Sequence, residues 1–381
     1  MDRNLIAPGC VLLIALLVCV ACILRMRALR RKNYGQWRRV GEMIVLTVVI
    51  LIAAALGSGA TFNVVATQYF FAHHSVPGNF YDVDGYKMHL LCTGEGAPTL
   101  ILDAGLGNDS LIWANVQPEL SKITRVCSYD RAGFGWSEPR PDPRDADRIA
   151  HELHRLLNNA GVTGSVVLMG HSISGLYIRA YAASYPRSVP GLVFVDSSTP
   201  LQEDRFPAEV AQAFKRMNRS REFQKLEWLY ILGIPRVMGQ CTPEEGFSES
   251  VRKMIAEDQC RPSLFAAIAQ EDKSFRQSGN ETIHTGPFGD LPILIFSEDP
   301  EHSPPSDIPP QAAKSVSKVW NEMQEELKNL STRSRRIIAK GSGHYVQIDR
   351  ARLLIEEVTN FVKQIRGEMP EPTDYGSTKV E

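Results

Sequence analysis

At 381 residues with a formal net charge of −1, the chain has room for one large domain, or a domain plus a smaller attachment. Its near-neutral balance excludes a general electrostatic case for binding nucleic acid. The charge is unevenly placed, however: Arg25, Arg27, Arg30, Arg31, Lys32, Arg38 and Arg39 lie in one short segment that contains no acid.

Two charge-free apolar runs flank that segment, residues 5–24 and about 43–65. Each matches the ~20 residues a helix needs to cross hydrocarbon. A secretory signal would carry a small-residue cleavage site where Arg25 and Arg27 stand, so the first run is read as a retained span; small residues at 55–60 leave cleavage of the second run open. Basic loops stay in the cytoplasm because moving Lys and Arg across a membrane is unfavourable. The hairpin therefore predicts that everything after about residue 70 is extracytoplasmic, periplasmic or extracellular. Residues 1–70 are the expected anchor.

From residue 79 strand-like runs alternate with helical patterns, the pattern of an α/β fold with a mostly parallel, helix-covered sheet. A hairpin turning at Asp84-Gly85 is followed by strands at 98–105, 124–130, 165–172, 191–198, 291–299 and 335–343, eight in all. The helix at 145–160 places Ile149, Leu153, Leu156 and Leu157 on one stripe, and Gly161 stops it. The last helix aligns Leu354, Val358 and Val362. Between about 200 and 288 a long, helix-patterned insertion interrupts the rhythm and reads as a lid. The polar, Pro-containing tail 368–381 is expected to be disordered.

Cys10, Cys19 and Cys22 fall in the first apolar run. Cys92, Cys127, Cys241 and Cys260 are an even set that fits either disulfides in an oxidising compartment or four buried thiols, and none shows metal-ligand spacing. Asn-x-Ser/Thr matches stand at Asn108, Asn218, Asn280 and Asn329.

The chemistry concentrates in LMGHSISGLYIRAYAASYP, residues 168–186. A strand runs into Gly170-His171-Ser172-Ile173-Ser174-Gly175, and a helix follows. A turn this tight needs small neighbours and presents its serine at the carboxyl edge of the sheet, above free helix N–H groups. This stretch resembles the elbow of the α/β-hydrolase fold family, usually G-x-S-x-G, with Ser174 in place of the last glycine and Gly175 next. The resemblance spans about 79–366 and implies an eight-stranded α/β-hydrolase domain over 71–367, with its helical lid at about 200–288. In that family the acid and then the histidine follow the serine in chain order. Asp299, just past the seventh strand, and His344, after Gly341-Ser342-Gly343, occupy those slots. Glu298 is adjacent to Asp299, and Asp196 ends the sixth strand at a position some relatives use; Asp299 is the preferred acid, with Asp196 read as supporting the turn.

The resemblance further implies an oxyanion hole from the backbone N–H groups of Ile173 and Leu106, the latter in LDAGLGND, where Ala104 replaces the family's usual histidine. The stretch 129–139, YDRAGFGWSEP, is expected to shape the pocket, with Asp130 and Arg131 paired inside it. The family's strand order makes the second and fourth strands neighbours, which places Cys92 near Cys127. Cys241 and Cys260 would close a loop within the lid, stabilising by on the order of 3 kcal/mol. The implied activity is hydrolysis of a carboxylic ester or related acyl compound through an acyl-serine, with no metal or organic cofactor. A small-molecule or lipid-like acyl substrate and the membrane are the expected partners, with no nucleic acid. Lactone, thioester, peptide and acyl-transfer chemistry use the same triad. A membrane-anchored binding protein without catalysis is the remaining reading, disfavoured by three filled slots.

Overall fold

The structure, a computed structural model, describes residues 3–31, 34–140, 143–217, 219–242, 245–302 and 310–381; Lys32 of the basic segment and Asn218 of the Asn-x-Ser/Thr set lie outside them. Helices of eight or more residues are α1 (Arg3–Arg31), α2 (Gln36–His73), α3 (Ala146–Asn159), α4 (Ser174–Ser184), α5 (Ala208–Met217), α6 (Arg219–Ile231), α7 (Glu249–Gln259), α8 (Pro262–Thr282), α9 (Pro310–Glu326) and α10 (Ala351–Ile365). The strands are β1 (Asn79–Val83), β2 (Tyr86–Thr93), β3 (Thr99–Asp103), β4 (Val126–Tyr129), β5 (Val166–His171), β6 (Leu192–Val195), β7 (Ile293–Ser297), β8 (Ser334–Ala339) and β9 (Ser377–Val380).

Two units emerge: one gathers Met1–Val76, Phe223–Glu244 and Arg252–Ala266, the other Pro77–Glu222, Glu245–Val251 and Ala267–Glu381. The helical stretch expected as one lid is thus divided between them. In the first unit α1 and α2 lie against each other, with Arg25 bonded to Glu42 at 2.8 Å near their connection. Both helices are apolar nearly all round, and Leu17 and Leu51 are 60% and 64% exposed. Both are long and apolar enough to cross a membrane.

In the second unit one sheet runs β1-β2-β4-β3-β5-β6-β7-β8-β9. β1 with β2 and β2 with β4 pair antiparallel, and every other pair is parallel. β3, β4, β5, β6 and β7 are buried along their whole lengths, as central strands covered on both faces must be. The α3 helix starts where Asp145 accepts a bond from Arg148 N–H, and it buries Ile149, Leu153, Leu156 and Leu157. Cys92 and Cys127 are opposite partners in the β2–β4 register and form a disulfide; Cys241 and Cys260 form another in the first unit.

The tail corrects an expectation. Residues 377–380 are not disordered but add a ninth, parallel strand beside β8, with Ile337 opposite Thr378. Ion pairs hold this polar edge strand, which needs no apolar face: Arg333 with Glu371, Lys379 with Asp299 and Glu301, and Lys340 with Glu381.

Candidate active site

β5 delivers Ser172 into a turn of left-handed backbone, φ 55°, a conformation costly for a residue with a Cβ. Its amide donates to Val195 O (3.1 Å), while its carbonyl accepts from Gly175 N (3.0 Å) and Ser198 N (2.8 Å). Three glycines make room for this turn. A Cβ on Gly170 would come 2.9 Å from Ser174 O, one on Gly175 would come 2.5 Å from the Ser197 Cβ, and one on Gly105 would come 2.7 Å from His171 Nδ1. Ser174 is fully buried, and its hydroxyl donates to Ala104 O, tying the elbow to the loop after β3.

His344 enters from the turn after β8. Its Nδ1 lies 2.6 Å from Asp196 Oδ2, so the carboxylate on the imidazole is Asp196, not Asp299. Asp196 follows β6 with φ 42° and is fully buried. Glu298 N–H donates to its Oδ1 at 3.0 Å, and Trp320 Nε1 donates to both oxygens at 3.0 Å. Asp299 is held elsewhere: it accepts from Gly341 N (2.9 Å) and Glu301 N (3.1 Å) and pairs with Lys379 at 2.9 Å. Those contacts brace the turn that carries His344 and aim this carboxylate away from the ring.

A third of the His344 side chain stays open, 36%. The surrounding protein opposes its charged form, but the Asp196 bond and the charges of Asp196 and Glu298 outweigh this and hold the imidazole above the ordinary histidine range. Burial first, and then the Asp196 charge, push Glu298 up to about 8. His171, fully buried beside the serine, bonds through Nε2 to His344 O at 3.0 Å, and the two rings lie 4.7 Å apart. This brings the histidine turn to the elbow. Among the described residues Ser172 Oγ makes no hydrogen bond to the His344 ring; such bonds commonly tighten only with substrate bound.

The loop after β3 is fixed by Arg131, itself 2% exposed. Its Nη1 donates to Ala104 O (2.5 Å) and Asp103 Oδ1 (2.8 Å), its Nη2 to Gly105 O (2.9 Å), and its Nε and Nη2 to Glu271 of α8 at 2.8 and 2.9 Å. Asp130, the expected partner of Arg131, pairs instead with His89 at 2.9 Å. In a planar trans peptide the C=O and the next N–H point opposite ways. Anchoring Gly105 O on Arg131 therefore turns Leu106 N–H away from the arginine. Among the described residues neither Leu106 N–H nor Ile173 N–H donates a hydrogen bond.

Trp320 and Arg131 escaped sequence reasoning as site residues. Trp320 lies 124 residues from Asp196 in a helix with no motif, and Arg131 could be assigned only once Glu271, 140 residues away, was placed.

Residues 98–228 match the model of the alpha/beta hydrolase fold family. The chain is 26% identical over 316 residues to the probable transporter efuK of Hormonema carpetanum, over 76% of this chain and 43% of that protein. It is 27% identical over 287 residues to an AB hydrolase superfamily protein of Gibberella zeae, over 71% and 87% of the two chains. A membrane phospholipase A described as a bacterial virulence factor superposes with a TM-score of 0.56 at 21% identity, over 85% of this chain and 98% of that one. That likeness shows the fold. The chain spans about half the length, or less, of three curated relatives it matches, 43%, 42% and 51%.

Proposed function

Because this chain belongs to the α/β-hydrolase fold family, we propose that it is a serine hydrolase cleaving a carboxylic ester or related acyl substrate, held at a membrane by its two N-terminal helices. The observation that carries this reading is the 2.6 Å bond between the buried Asp196 and the His344 ring at the elbow of the strained Ser172. Asp196 fixes the proton of the imidazole on Nδ1, which leaves Nε2 free as base. His344 takes the hydroxyl proton as Ser172 Oγ bonds to the acyl carbon, and the carbonyl π electrons move onto its oxygen. The Ile173 and Leu106 N–H groups are the donors for that oxyanion. Collapse expels the alcohol, which takes the proton from His344. Water, deprotonated by the same imidazole, then releases the acid and restores Ser172.

The Cys92–Cys127 and Cys241–Cys260 bridges favour an oxidising, extracytoplasmic location for everything after the anchor. The apolar helices and the phospholipase likeness favour a lipid-like acyl substrate. A fluorophosphonate probe tests the chemistry: labelling is expected in the native chain and absent in Ser172→Ala. A folded native sample that takes no label would instead favour a binding protein without catalysis.

A further inference from the structure

At 38 residues, α2 is about 57 Å long, nearly twice the ~30 Å of bilayer hydrocarbon. Its pairing with α1 locates where that hydrocarbon ends. A Cβ on Gly57 would meet Ala15 at 3.0 Å and Leu12 at 3.6 Å, and Arg25 bonds Glu42. With this antiparallel register Leu5, the first residue of the apolar run of α1, is level with Phe62 to Thr67 on α2.

At that level the chain 230–236 is locked to α2 within the same unit. A Cβ on Gly59 would come 2.5 Å from Leu232 O. Asn63, 3% exposed, donates to Tyr230 O at 2.9 Å and to Cys260 O at 3.3 Å, and accepts from Arg236 Nε at 2.7 Å. Arg236 goes on to Thr67 Oγ1 (3.0 Å) and to both oxygens of Glu257 (2.7 Å). A satisfied polar cluster of this kind sets one register, because any shift would leave its members unpaired.

Apolar side chains on both sides of the locked segment are open. Trp228 is 58% exposed, Leu229 40%, Val237 66% and Met238 65%. Tryptophan and large aliphatic side chains are favoured where hydrocarbon meets headgroups, and these stand at that depth beside helices of spanning length. We propose that residues 226–238 seat in the headgroup–acyl boundary of the bilayer that α1 and α2 cross, as a third point of membrane contact. The inference rests on the membrane-anchored reading and is independent of catalysis at Ser172.

The test uses the full chain in lipid nanodiscs whose acyl chains are brominated midway, comparing the native protein with Trp228→Phe, so that the fluorescence difference isolates Trp228. The expected result is that brominated lipid removes most of this difference while aqueous iodide leaves it. Quenching by iodide alone, with the chain still on the disc, overturns the proposal and spares the anchor. Shielding from both quenchers points to a protein partner and also overturns it. A chain that leaves the discs removes the anchor and the proposal together, whereas fluorophosphonate labelling reports separately on the hydrolase.

Discussion

Replacing Asp196 with asparagine tests the site at the point where structure and sequence part. The buried carboxylate receives Trp320 Nε1 and Glu298 N–H, each at 3.0 Å, and faces His344 Nδ1 at 2.6 Å. Both of the first two groups are donors, so the single oxygen of an asparagine turns toward them and its NH2 faces the ring. A donor against Nδ1 drives the imidazole to the Nε2–H tautomer, which has no lone pair for the serine proton. The loss expected in kcat is roughly 10³- to 10⁴-fold, about 4–5.5 kcal/mol in the barrier, in a protein of nearly unchanged shape. Asp299→Asn keeps an oxygen for only one of Gly341 N–H and Glu301 N–H, which bond different oxygens of the carboxylate, and loses the pairing with Lys379, itself about a third exposed, but none of these contacts is made to the His344 ring. It should change kcat by only a few-fold. The assay is kcat/KM on a chromogenic short-chain ester across pH, with circular dichroism as the check on folding. In the proposed mechanism the neutral imidazole is the base, so activity should rise with pH through the pKa of His344, which lies above the ordinary 6.5; in Asp196→Asn any residual activity should show that limb at lower pH. A larger loss in Asp299→Asn than in Asp196→Asn, or an asparagine variant at 196 retaining more than about a tenth of the rate, would refute the assignment.

Arg131→Lys keeps the charge but cannot hold two carbonyls and Glu271 together; kcat should fall roughly 10²-fold with KM within a few-fold, and a folded variant with native kcat would make Arg131 purely structural. Glu298 has a folded pKa of about 8 against an ordinary 4.5, so the stability linked to its proton is fully present below 4.5 and lost as pH rises through about 8. The melting temperature of Glu298→Gln relative to native should therefore climb across that window, and a pH-independent difference would contradict the shift. Alkylation before reduction should modify only Cys10, Cys19 and Cys22 among the seven cysteines, and mass analysis that finds label on Cys92, Cys127, Cys241 or Cys260 in the native protein would count against both bridges. Removing the first bridge with Cys92→Ala and Cys127→Ala should lower stability by about 4 kcal/mol for its loop of 35 residues, read from urea unfolding; an unchanged midpoint would exclude it as a staple.

Much of this protein can be read locally. The apolar runs of α1 and α2, the alternation from β1 to β8, the small residues around Ser172 and the glycine turn before His344 are each set by a few neighbouring residues, because periodicity and steric room are short-range properties. The choice of acid was not local. Asp196 and Asp299 stand just past the carboxyl ends of the paired strands β6 and β7, with no difference in pattern between them. Contacts from far along the chain decide: Trp320 aims Asp196 at the ring, while Lys379 of β9 holds Asp299 away. That strand comes from a polar tail whose composition signals disorder, and its ladder of bonds with β8 forms only once the open edge of the sheet exists to receive it. Arg131 likewise acquires its role from Glu271, since a buried guanidinium is tolerable only where folding brings carboxylates and carbonyls around it.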